Sequence, residues 1–128
     1  MCSDTQIREI LEGGCVMCSD TQIREILASV AAGAKEIFSE KLVSVILFGS
    51  YARGDFDEES DIDILIIADL PSSALAEYRK QIDHLCGTLL LEYGIVISAI
   101  EKDAETYNRY KDSLPFYRNI ETEGLKIA

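Results

Sequence analysis

Cations are scarce in this chain: its 128 residues carry 12 Lys and Arg against 23 Asp and Glu, a formal net charge of -11. A nucleic-acid backbone is held by clustered Lys and Arg, so this balance argues against a nucleic-acid template as the main partner. A basic protein partner, or a small nucleotide delivered with Mg2+, suits it better. No stretch approaches the roughly 20 apolar residues needed to span a bilayer, and the start has no basic segment with an apolar core behind it. The expectation is a cytoplasmic chain without a membrane partner. Cysteine is sparse as well: Cys2, Cys15, Cys18 and Cys86 make a single C-x-x-C with no second pair, so reduced thiols are expected rather than a zinc site. The one histidine, His84, lies in a helical pattern and reads as a surface or boundary residue rather than a ligand.

What remains is ordinary for a globular domain, 48% apolar and 27% charged, and the length suits one domain with one core. Residues 1–11 recur without change as residues 17–27. A repeat that short is no solenoid unit, and its exactness does not resemble an old duplication. Residues 1–16 are therefore expected to be a duplicated, non-native segment, with Met17 as the working start and the domain spanning residues 17–128.

The chain is organised around residues 43–67. Two short β-branched runs, 43–48 and 61–67, read as buried strands joined by a polar loop. Side chains two apart on a strand share a face, so Asp61 and Asp63 present carboxylates together, roughly 6–7 Å apart at their backbones. Ile62, Ile64 and Ile66 anchor the other face. Two carboxylates so placed suit a pair of Mg2+ ions about 3.5–4 Å apart, which clamp the attacking and leaving oxygens of a phosphoryl or nucleotidyl transfer. At the end of the first strand, Gly49 lets a phosphate approach the backbone, Ser50 offers a hydroxyl and an N–H, and Arg53 adds a forked cation. The plain alternative is a strand end followed by a solvated acidic turn. A calcium loop over Asp55, Asp57 and Glu59 fails, because Ser60 stands where the turn glycine is needed and Ile66 where the closing glutamate belongs.

Around this unit the periodicities predict an amphipathic helix from Ser19, with Ser19 and Gln22 as a capping box and Ile23, Ile26, Leu27, Val30, Ala34, Ile37 and Phe38 along one face. Pro71 breaks the chain before a second helix, which Ser72 or Ser73 caps and which carries Leu75, Tyr78, Ile82, Leu85, Leu89 and Leu90 on one stripe. A third strand is expected over residues 94–100, a polar helix over 101–114, and a last short helix from Pro115 to Gly124. Tyr107, Tyr110, Phe116 and Tyr117 gather there, as core or as a partner or nucleobase surface. The order α, β, β, α, β, α, α predicts an α/β (α+β) domain with a small mixed sheet and helices packed mainly on one side.

Gly49-Ser50, ten residues, then Asp61-Ile62-Asp63 resembles the signature of the minimal nucleotidyltransferases, small members of the DNA polymerase β-like superfamily. The flanks L-F-G-S-Y-A-R-G-D-F and P-F-Y-R-N-I-E-T-E-G-L resemble the same family, and the similarity runs from about Val30 onward. It implies a palm-like fold and a Mg2+-dependent nucleotidyltransferase that moves a nucleoside monophosphate, AMP from ATP foremost, to an acceptor hydroxyl. Asp61 and Asp63 would be the catalytic metal ligands, and Gly49 and Ser50 would hold the triphosphate. Antitoxin-like members imply a tyrosine on a HEPN-type toxin as acceptor. The family commonly takes a third acid from a neighbouring strand, but Val96, Ser98 and Ile100 share the relevant face here and none is acidic. Glu101, just beyond, is either a solvent-facing strand end or a substitute. Two alternatives follow: a catalytically degenerate module that neutralises a protein by docking, and a small-molecule, aminoglycoside-like nucleotidyltransferase. The latter lacks helices to wall its substrate unless the chain forms a homodimer.

Overall fold

The computed structural model of the protein describes residues 20–57 and 59–128. Residues 1–16, the C-x-x-C and Ser19 of the expected capping box lie outside these residues. Helix α1 (Asp20–Phe38) leads through a 3-10 turn (Ser39–Lys41) into β1 (Leu42–Phe48), followed by a short helix α2 (Ser50–Arg53) and β2 (Ile62–Ala68). Helix α3 (Ser72–Tyr93), β3 (Ile97–Asp103), α4 (Ala104–Tyr110), α5 (Pro115–Glu123) and β4 (Leu125–Lys126) complete the chain. Among the described residues no helix is long and apolar enough to cross a membrane.

The four strands form one mixed sheet in the order β3-β2-β1-β4. β1 runs antiparallel to both β2 and β4, and β2 runs parallel to β3. Alternation along β2 splits its side chains between two cores. Ile62, Ile64 and Ile66 join Val45 and Leu47 under the long helices, where Ile23, Ile26, Leu27, Val30 and Ala34 of α1 and Ile82 of α3 are buried. Leu65 and Ile67 face the other way and meet Ile46, Tyr107, Tyr117 and Ile120. The two long helices cover one face, as the periodicities predict, and the short C-terminal helices add a smaller cluster on the other.

Four local expectations shift. The residue before α3 is Pro71, with Ser72 already helical and no side-chain cap bond, which suits a proline whose ring forbids the N–H a later position would need. Leu90 leaves the α3 stripe and is exposed, while Leu75, Ile82 and Leu89 stay buried. The polar helix is shorter than residues 101–114, because Asp103 caps α4 by accepting a hydrogen bond from the Thr106 N–H at 2.9 Å. β3 also begins three residues later than the apolar run suggests: Ile62 pairs with Ile97, so the start of β2 sets the start of its parallel neighbour.

That register relocates Glu101. It sits within β3 beside Ile66, on the face under α3, and it is buried rather than capping a strand end in solvent. Arg79 Nε of α3 lies 3.5 Å from Glu101 Oε1, and that oxygen has no hydrogen-bond partner. Burial raises the Glu101 pKa, opposed by Arg79 and helped by Asp83. Glu101 therefore points away from the face of Asp63, and Asp103 is occupied as a helix cap.

Candidate active site

The last residue of β1 and the first polar residue of β2 are neighbours: Phe48 pairs with Asp63. Gly49 follows with φ 76° and ψ -155°, a backbone conformation that side chains bearing a Cβ rarely adopt. A Cβ there would also collide with Asp63 Oδ2. The glycine is thus fixed twice, by its dihedrals and by the carboxylate packed against it.

Ser50 opens α2, a four-residue helix too short for any periodic signal. Gly54, at φ 85°, ends it with its N–H donating to the Ser50 carbonyl at 2.9 Å. The chain then folds back because Tyr51 and Phe56, both buried, stack at 4.2 Å with their rings 8° apart. This holds Arg53 beside the mouth of the site, where its Nε donates to Asp55 Oδ2 at 3.2 Å. Further along, the Glu59 N–H and the Ser60 hydroxyl both donate to Asp57 Oδ1, and the Asp57 N–H donates to Ser60 Oγ. Asp57 is thus an Asx-type turn residue, so part of the acidic loop does serve as a turn.

A cavity of ≈ 390 Å³ brings together Gly49, Ser50, Arg53 and Asp63 in its lining. Asp61 lies immediately before β2, is exposed, and does not line the cavity. Its charge still reaches the site: the Asp63 pKa is raised, by burial first and then by repulsion from Asp61, against a lowering by Arg53. A half-buried carboxylate whose pKa is raised by burial and by a second carboxylate beside it favours a cation at that spot. The donors are oxygens only, and a hard cation that keeps its waters and substrate phosphates fits that set, since Mg2+ commonly binds through one or two carboxylates. Among the described residues no group of three or more His, Cys, Asp or Glu side chains is placed to hold a metal. The position facing Asp63 on β3 is Ser98, so this sheet face supplies no third acid.

The other wall of the cavity is α5, through Phe116, Asn119, Ile120 and Glu123. Sequence periodicity marks α5 as a helix, but its return to β1 is a long-range contact with no local signature. The only available signal is the spacing of these four residues, three and four apart along one helical face.

The nucleotidyltransferase domain family matches residues 31–124 of the chain. Protein MJ0604 of Methanocaldococcus jannaschii, provisionally named a protein adenylyltransferase, is 47% identical over 90 residues, which are 70% of this chain and 82% of that one. A second protein of the same organism and provisional name, MJ0141, is 41% identical over 94 residues, 71% and 84% of the two chains. Among solved structures, a chain of a toxin-antitoxin complex with AMP-PNP superposes with a TM-score of 0.49 at 21% identity, over 80% of this chain and 72% of that one.

Proposed function

This chain belongs to the nucleotidyltransferase domain family, and from that premise we propose that it transfers AMP from ATP to a hydroxyl of a partner protein. The observation that carries the reading is the cavity joining Gly49, Ser50, Arg53 and Asp63. In it, a triphosphate lies against the bare backbone of Gly49, accepts from the Ser50 hydroxyl, and has part of its charge offset by Arg53. Asp61 and Asp63 hold Mg2+, which when bound neutralises charge on the phosphates. Asp63 is backed by Gly49, so its carboxylate is held in one place before substrate arrives. The acceptor oxygen bonds to the α-phosphorus and its proton passes to solvent water, while the bond from the α-phosphorus to the bridging oxygen breaks and that oxygen keeps the electron pair, releasing pyrophosphate.

A protein acceptor is supported by the provisional names of the M. jannaschii relatives and by the acidic balance of the chain, which suits a basic partner. A tyrosine on a HEPN-type toxin is the specific acceptor that the minimal-nucleotidyltransferase resemblance supports. One observation favours a second reading, a docking module without turnover: Ser98 stands where a carboxylate would face Asp63. Calorimetric titration of ATP with and without Mg2+, repeated on Asp63→Asn, separates the two. Binding that requires both the metal and Asp63 supports the enzyme, whereas a folded protein that binds no nucleotide supports docking.

A further inference from the structure

The cavity is lined by two chemically distinct sets of residues. Gly49, Ser50 and Arg53 make one of them suited to anions, while α5 makes the other aromatic and amide-bearing. Ile120 is 3% exposed and ties α5 into the core, yet Phe116, on the same face of the helix, is 43% exposed. Its ring is braced edge-on by Phe48 at 5.7 Å and 86°, and by Tyr117 at 5.4 Å and 71°. An apolar ring held in place and left open beside a polar cavity has the form of a stacking platform. One turn further along, Asn119 brings an amide to the same wall, with one acceptor and two donor hydrogens. Glu123 beyond it has no cation among the lining residues of α5 and disfavours a phosphate along this wall, whereas Asp63 is accompanied by Arg53 beside Gly49 and Ser50, which leaves that side for the triphosphate.

We propose that the α5 wall seats the nucleobase, with Phe116 stacked against the ring and Asn119 reading the amino-bearing edge of adenine. The pairing chemistry is that of an amide with adenine, which donates from N6 and accepts at N7. Stacking tolerates any base, so affinity comes from Phe116 and the preference for adenine from Asn119. The inference rests on the nucleotide reading above, and it assigns this wall to the nucleotide rather than to the acceptor side chain.

Calorimetry in Mg2+ buffer with three probes, ATP, ITP and inorganic tripolyphosphate, tests it. The unmutated protein is expected to bind ATP more tightly than ITP, which has a carbonyl in place of the amino group, and more tightly than tripolyphosphate. Phe116→Ala should weaken ATP roughly tenfold and leave tripolyphosphate unchanged. Phe116→Leu keeps most of the packing against Phe48 and Tyr117, so it gives the same selective loss even if the alanine variant does not fold. Asn119→Ala should bring ATP and ITP to equal affinity. Unchanged ATP binding in both Phe116 variants assigns the wall to the acceptor and overturns the proposal, as does equal weakening of ATP and tripolyphosphate. Asp63→Asn separates the two levels: loss of all three probes supports the nucleotide reading whatever Phe116 does, and an unmutated protein that binds none of them overturns both.

Discussion

Under the proposed function, Asp63 sets activity against stability at a single residue. Burial and the nearby Asp61 raise its pKa, so the folded state holds the proton more tightly than the unfolded chain does. The stabilisation of that protonated form is present below the ordinary aspartate range and is lost as pH rises through the raised folded value. Asp63→Asn is therefore expected to melt above the unmutated protein at pH 7, to lose the advantage near pH 3, and to bind no Mg·ATP. Thermal scans across pH with parallel calorimetry check all three. Glu101 differs because its partner is specific. Arg79→Met would remove the cation beside a buried carboxylate and, because the Arg79 side chain is itself largely exposed and screened, lower stability by up to about 1 kcal/mol, whereas in a Glu101→Gln background the same change should cost almost nothing. Urea denaturation of the double-mutant cycle measures that coupling.

Elements longer than about two turns are legible from periodicity, and so is the placing of Asp63 beside Gly49-Ser50, because β1 and β2 are read as neighbouring strands. Three features are not. α2 is one turn long, shorter than any window in which a helical period can be seen. The span of β3 is set by where β2 begins, so the run over residues 94–100 misplaces it, and Glu101 reads as solvent-facing when it is buried. The contribution of α5 to the cavity depends on tertiary packing of Ile120 with Ile46, Leu65 and Ile67. Between the strands, the Tyr51–Phe56 stack is what sets the path of α2 and its loop. Phe56→Ala should cost roughly 3–5 kcal/mol by opening a buried aromatic site, and it should weaken Mg·ATP by loosening Arg53. Denaturation and titration of that one variant read both effects.

At the scale of the whole molecule, a formal charge of -11 on 128 residues means self-repulsion in the folded state, screened as the Debye length falls to about 8 Å at physiological salt. The melting temperature should rise as sodium chloride is raised from about 10 mM to about 150 mM, as differential scanning fluorimetry would register. Repulsion between copies also helps keep them apart, but one segment needs more than charge. Residues 43–48, V-S-V-I-L-F, hold no charge, proline or glycine, the composition of strands that stack into fibrils. Among the described residues, only β4 and the residues after it occupy the outer edge of β1: the Val45 N–H donates to the Ala128 carbonyl at 3.0 Å, and the Ile127 N–H to the Val45 carbonyl at 2.8 Å. These last few residues act as a guard against aggregation, with Lys126 as the charged gatekeeper on the exposed edge. A chain cut after Gly124 should scatter light and bind thioflavin at concentrations where residues 125–128 keep the chain clear, so loss of this short strand would turn the edge of β1 into a template for polymerisation.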